Sequence, residues 1–376
     1  MKKFFLLPVF IYIFSFTQAV FAESMYSPTW GFFIDLPEGY NFTDGDGKNR
    51  FSFSGPEGLM FDIIVYDNRF STLLDLVEDA NKKLTNQGAV DFFSYNGKQA
   101  SIIQLIFSDH TGWGFAVELE SAGVQRPMLL ALSYSPKGKE GLELFHLSAL
   151  DSISPSDAEL RYPGPFTEYS YPRGEQRNVK ITTGLNAKIY ENDAEASQDL
   201  IEREFKILQS YIKSPLIQEA SIRYYRFIFR DSYNRIKDAA GVIARNFGGH
   251  SNLNDAEKTV FAQRILSFVQ GFKYERDFSG SDFLNLITAV TEGRGDCDSR
   301  AVLFAIILSN INIRSAIMLS YHYSHAMGLA DIQGSGARVE ALGTQWLVAE
   351  TTAFVDIGMI AQDQSDPQHW FSILFE

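Results

Sequence analysis

Cys297 is the only cysteine in a chain of 376 residues, so no intramolecular disulfide can form. A thiol used alone is a structural thiol, half of an intermolecular bridge, or a nucleophile. It stands in Glu292-Gly293-Arg294-Gly295-Asp296-Cys297-Asp298-Ser299-Arg300, directly before the apolar run Ala301 to Leu308. Glycines before and helix formers after place the thiol at, or within a turn of, a helix N-terminus. There the unpaired backbone N–H groups and the positive end of the macrodipole favour a thiolate. The carboxylates of Asp296 and Asp298 oppose this by repulsion unless they point outward as helix caps, so a basic partner is required. His325, in Tyr321-His322-Tyr323-Ser324-His325-Ala326-Met327-Gly328-Leu329, is the candidate base. Glu350 closes the apolar stretch Thr344 to Ala349, where a lone carboxylate is costly, and His325 Nδ1 is its expected partner. Nucleophile, base and orienting acid then follow one another as a thiol acyl-transfer site requires.

Competing residues are weaker. His322 lies three residues before His325 and would face the other side of a strand, and a His-x-x-His metal pair has no third ligand placed beside it. His110 and His146 stand alone, and Glu340 and Asp356 are the other nearby acids. Asp296 and Asp298 could hold Ca²⁺ beside the nucleophile, but capping needs no ion, so no cofactor or metal is expected.

The elements that must position these groups read as an α+β chain. Residues 1–22 have the form of a secretory signal peptide: Lys2-Lys3, an apolar run from Phe4 to Phe16 too short to span a bilayer, and Ala19-Val20-Phe21-Ala22 before the cut. No cysteine follows that would accept a lipid. The mature product is expected to be soluble and exported, periplasmic or extracellular, with no later membrane span. Residues 23–154 alternate in short strands, with helices at 72–84 and 138–152, and form an antiparallel sheet packed on helices. Residues 155–177 carry Pro155, Pro163, Pro165 and Pro172 and read as a linker. Residues 178–249 read as a strand, then helices over 194–212 and 215–247, the charges Arg223, Arg226, Arg230, Asp231, Arg235 and Lys237 forming a solvated face. Residues 250–376 begin with a helix at 255–270 and hold the candidate site.

Gly-Asp-Cys-Asp opening an apolar helix, His-Ala on a later strand, and Glu-Thr-Thr after a Trp-containing strand resemble the transglutaminase-like superfamily over about residues 250–376. That resemblance implies a papain-like α+β core with Cys297 as nucleophile, His325 as base and Glu350 as acid, the last being Asp in most of the family. It also implies that Gln270 helps bind the oxyanion, its amide being a suitable donor. The phrase Gly31-Phe-Phe-Ile-Asp-Leu-Pro-Glu-Gly-Tyr40 resembles the start of PsbP/Mog1-like domains, a short strand running into a Pro-Gly turn; the N-terminal unit is read as a binding module that docks a partner protein.

Composition narrows the function classes. With 33 Lys plus Arg against 46 Asp plus Glu the net charge is −13, which repels phosphate backbones, so nucleic acid is not an expected partner. A chain 45 % apolar with 32 Phe and 17 Tyr has the material for real cores. Three functions remain: a cysteine peptidase or amidase acting on protein or peptide, a transglutaminase passing the acyl group to an amine, or a non-catalytic interaction protein that keeps the fold.

Overall fold

The computed structural model describes residues 24–120, 126–276 and 280–375; the expected signal peptide at 1–22 lies outside the described residues. Two short strands, β1 (Met25–Tyr26) and β2 (Phe33–Ile34), pair antiparallel, and β2 leads into a turn at Glu38 and Gly39. Then come β3 (Asn41–Gly45), β4 (Arg50–Ser54), β5 (Met60–Tyr66), β6 (Val90–Tyr95), β7 (Lys98–Phe107), β8 (His110–Glu118) and β9 (Met128–Pro136). They form one antiparallel sheet in the order β3-β4-β5-β9-β8-β7-β6. Its period-two pattern feeds two cores. Phe61, Ile63 and Val65 of β5 face one core, which α2 (Glu143–Asp151) covers with Ala149 and Leu150. Ile103, Leu105, Ala116 and Leu130 face the other, covered by Leu73, Leu76, Val77 and Ala80 of α1 (Leu73–Leu84). Thr72 and Asp75 close the α1 N-terminus as a capping box.

The Pro-rich stretch is packed rather than tethered. It holds α3 (Pro165–Ser170), whose Phe166 enters the first core, and the Asp151 carboxylate accepts from the Phe166 and Thr167 amides at 2.6 and 3.0 Å. A buried carboxylate thus supplies the hydrogen bonds that a chain broken by prolines cannot make within itself.

Next come a hairpin of β10 (Gln176–Lys180) and β11 (Asn186–Tyr190), then α4 (Asp193–Ser210), α5 (Ile217–Arg235), α6 (Lys237–Asn246) and α7 (Asp255–Gln270). The single helix expected over 215–247 is two, broken at Ile236. The solvated face expected on α5 is a correction of larger consequence. Arg223, Asp231 and Arg235 are buried. Helical spacing turns Arg223, Arg226 and Arg230 toward the sheet unit, where their partners come from distant segments. Arg223 bonds Glu204 at 2.9 Å and the Asp35 carbonyl at 2.7 Å, Arg226 bonds Asp35, and Arg230 donates to the carbonyls of Asp151, Ile153, Glu159 and Tyr162. Arg235 holds Asp193 and Asp231. The α5 helix is therefore the seam between the two halves of the chain.

The last segment contains β12 (Lys273–Tyr274), α8 (Leu286–Glu292), β13 (Arg294–Gly295), α9 (Cys297–Asn310), β14 (Ser315–Ser320), β15 (His325–Ala330), β16 (Arg338–Ala341), β17 (Thr344–Ala349) and β18 (Phe371–Leu374). An antiparallel sheet in the order β16-β17-β15-β14-β18 packs one face on α9. Residues 301–308 of α9 are fully buried, with Ile317 and Leu319 of β14 and Ala326 and Ala330 of β15 against that core. The alternate residues Met318, Met327, Trp346 and Val348 form a core on the opposite face. Gly328 sets the closeness of helix and sheet, because a Cβ there would lie 2.6 Å from the Phe304 ring.

Candidate active site

The first turn of α9 carries the thiol. Gly293 ends α8 in the left-handed conformation (φ 66°), where a Cβ would also meet Thr182 at 2.8 Å, and the chain reaches α9 through the short strand β13. Asp296 is the N-cap, accepting from the Ser299 amide at 2.8 Å. Only half of the expected arrangement is present. Asp296 caps the helix but is buried rather than outward, and Asp298 is half-buried and turned to the thiol, which donates to its Oδ1 across 3.7 Å. Burial therefore pushes the Cys297 thiol far up, and the charges of Asp298 and Asp296 push it further; the Ala326 amide and the Tyr274 hydroxyl beside Sγ act in the opposite sense. The two carboxyls are themselves raised, first by burial, with the Asp298 charge acting on Asp296.

The strand β14 returns along α9, the turn 321–324 reverses the chain, and His325 opens β15. The imidazole Nε2 lies 2.8 Å from Glu350 Oε2. This corrects the expected nitrogen. Glu350 lies just past the end of the neighbouring strand β17, within reach of the far side of the ring. Nδ1 takes no part in that bond, and the thiol meets the amide of the next residue, Ala326. Glu350 is buried, its Oε1 accepting from the Thr352 amide at 2.7 Å and hydroxyl at 2.6 Å. Burial alone would raise its pKa; the hydrogen bonds and charge of His325, with those of Thr352, outweigh it and hold the carboxyl below its usual range. A carboxylate only accepts, so the neutral imidazole carries its proton on Nε2 and presents Nδ1 as a base.

Gln270 is buried at the end of α7 and not aimed at a substrate. Its amide donates to the Glu350 and Val355 carbonyls, both at 2.9 Å, so neither N–H is free for an oxyanion. It clamps the segment carrying the acid. His322 lies in the turn, stacked on His369 at 4.0 Å rather than on a strand, while Glu340 takes its bond from Gln345 on the β16–β17 hairpin. His146 is a core residue, held by Ser133 and Ser135 at 2.9 and 3.0 Å.

Sequence reasoning did not single out Tyr274, Thr352 or Trp370, whose ring meets His325 edge-on at 6.2 Å. Only Thr352 left a signal, in the Glu-Thr-Thr phrase. Asp296, Cys297 and Asp298 bring ligand atoms within 4.8 Å of one another. Two carboxylates and a thiol, one carboxylate already bonded to Ser299, are not the all-oxygen shell that Ca²⁺ takes.

No family model and no curated protein matches the chain. Among solved structures, it is similar to a "putative cysteine protease" from Cytophaga hutchinsonii at 11% identity, over 85% of this chain and 76% of that one, with a TM-score of 0.25. A "putative protease" from Parabacteroides distasonis matches at 11% identity over 80% and 69%, with a TM-score of 0.22. A protein from Bacteroides thetaiotaomicron matches at 12% identity over 57% and 78%, also with a TM-score of 0.22. Overlaps this loose carry no argument, and none supports the PsbP/Mog1-like resemblance of the N-terminal segment. The functional reading rests on the geometry.

Proposed function

We propose that this chain is an exported thiol hydrolase that cleaves peptide or amide bonds through an acyl-enzyme on Cys297. The observation that supports the reading is the Nε2–Glu350 bond of 2.8 Å, which keeps Nδ1 clear of the acid, with the amide of the adjacent Ala326 at a thiol in the first turn of a helix. In the reaction the Sγ proton passes to Nδ1 as the thiol turns from Asp298 toward the imidazole, and Sγ attacks the substrate carbonyl. The oxyanion forms at the start of α9, where the Cys297 N–H has no intrahelical acceptor, and the Tyr274 hydroxyl is the second donor. Collapse of the intermediate transfers the Nδ1 proton to the leaving amine. Water, deprotonated by Nδ1, then attacks the thioester, releasing the carboxylic acid and restoring the thiol. Glu350 stabilises the imidazolium formed in both halves.

The test is peptide-library cleavage measured beside incorporation of a fluorescent amine into protein glutamine, for the wild type and Cys297→Ala. Cys297-dependent cleavage exceeding incorporation is expected. Incorporation exceeding cleavage would make the chain a transglutaminase, and no Cys297-dependent product in either arm would leave a non-catalytic fold. Among the described residues no helix is long and apolar enough to cross a membrane. Export is tested by N-terminal sequencing of the processed protein, expected to begin at Glu23.

A further inference from the structure

Arg300 lies one helical turn after Cys297 and is 2% exposed, yet no described carboxylate comes within ion-pair distance of it. Its acceptors are three neutral main-chain carbonyls: Gly295 from Nε at 3.2 Å, Phe272 from Nη2 at 2.5 Å, and Thr351 from Nη1 at 3.4 Å. Each marks a different part of the site. Gly295 is two residues before the thiol, Phe272 two before Tyr274, and Thr351 directly follows Glu350. The guanidinium also lies over the Tyr274 ring, 5.4 Å from its centroid. A buried cation satisfied only by carbonyls is an expensive device for packing, which an apolar side chain or a full ion pair would serve as well.

We propose, resting on the thiol chemistry above, that Arg300 is the positioning residue of this site: its guanidinium holds the Cys297, Tyr274 and Glu350 segments in register and supplies the positive charge against which the Cys297 thiolate forms. The surrounding charges make such a group necessary. On its own helix the thiol faces Asp296 and Asp298; from other elements it faces Tyr225 of α5, Tyr274 and Arg276 of the β12 segment, and His325 with its partner Glu350. Burial works against the Arg300 charge, while Tyr274, Asp296, Cys297 and Glu350 favour it.

The experiment follows alkylation of Cys297 by iodoacetamide against pH in the wild type, His325→Ala, Arg300→Lys and Arg300→Met, with folding checked by circular dichroism. Arg300→Met is expected to move the profile at least one pH unit upward and to slow alkylation at pH 7 by about tenfold or more. Arg300→Lys, which keeps the charge and loses the fork, should shift it less. A His325-dependent wild-type profile unmoved by Arg300→Met overturns the role of Arg300 alone. A wild-type profile indifferent to His325 overturns the thiol chemistry, and the role of Arg300 with it. If Arg300→Met does not fold, the wild type decides by NMR: the Arg300 Nε–H resonance should follow the thiol titration and cease to do so in Cys297→Ser. A resonance that ignores the titration overturns the proposal.

Discussion

Replacing Glu350 by Gln changes no volume and tests the site through hydrogen-bond polarity. The carboxylate uses both oxygens as acceptors, Oε1 for the Thr352 amide and hydroxyl and Oε2 for His325 Nε2. An amide has one acceptor end and one donor end. With its oxygen toward Thr352, its NH₂ faces Nε2, forces the proton onto Nδ1, and removes the base from the thiol's side. With its oxygen toward His325, the NH₂ opposes the Thr352 amide, a donor that then loses its partner at a cost of about 1–3 kcal/mol. Either orientation also loses the charge assistance of the His325 bond, about 1.5–3 kcal/mol. The charge loss common to both orientations, about 1.5–3 kcal/mol, slows any step that uses Nδ1 as base by roughly 10- to 10²-fold. The assay is Cys297 alkylation at pH 7 followed by mass spectrometry, with cleavage of a responsive peptide beside it. Glu350→Asp, which keeps the charge but is one methylene shorter, should retain part of the rate. Alkylation and cleavage by Glu350→Gln within threefold of the wild type would refute the reasoning.

Three predictions concern the frame that holds the site. Arg223→Ala takes one of two arginines from buried Glu204, which keeps Arg203 at 2.9 Å and the Ser148 hydroxyl at 2.8 Å, and should lower unfolding free energy by about 1–3 kcal/mol in urea titration. Gly328→Ala sets a methyl against Phe304 and should cost about 1–3 kcal/mol, read as a lower Tm, with α9 forced off the sheet. Burial lowers the His146 pKa from its ordinary value of 6.5 to about 4, so the unfolded chain binds the extra proton as pH falls through that interval. Stability should therefore drop by about 3 kcal/mol between pH 6.5 and 4, an effect that His146→Gln removes from the pH dependence of unfolding.

Some of this architecture was legible because it depends on short-range chemistry. The α7 helix runs from Asp255 to Gln270 as expected, since the Asn254 cap and Gly271 mark its ends locally. The apolar run after Cys297 could only be a buried helix, and Glu350 at the end of an apolar strand demanded a partner. The parts that were not legible depend on what lies opposite. Arg223 and Arg235 carry the same helical spacing whether they face water or the sheet unit, and only the fold brings up Glu204 and Asp193. The edge strand β3 reads Asn-Phe-Thr-Asp-Gly, turn-forming residues that an exposed edge tolerates and that carry no strand alternation. Which nitrogen of His325 meets Glu350, and that both Gln270 donors are taken by carbonyls, follow from the placement of a strand end and a loop, and spacing along the chain does not encode them.

The central claim is that His325 Nδ1 is the base for Cys297, and the pH dependence of Cys297 alkylation in the wild type and His325→Ala tests it most directly. In the wild type, alkylation should persist through neutral pH, where the imidazole receives the thiol proton. In His325→Ala the rate at pH 7 should fall about 100-fold or more, leaving only the alkaline limb of a buried thiol held up by Asp296 and Asp298. Superimposable profiles in the two proteins would contradict the account.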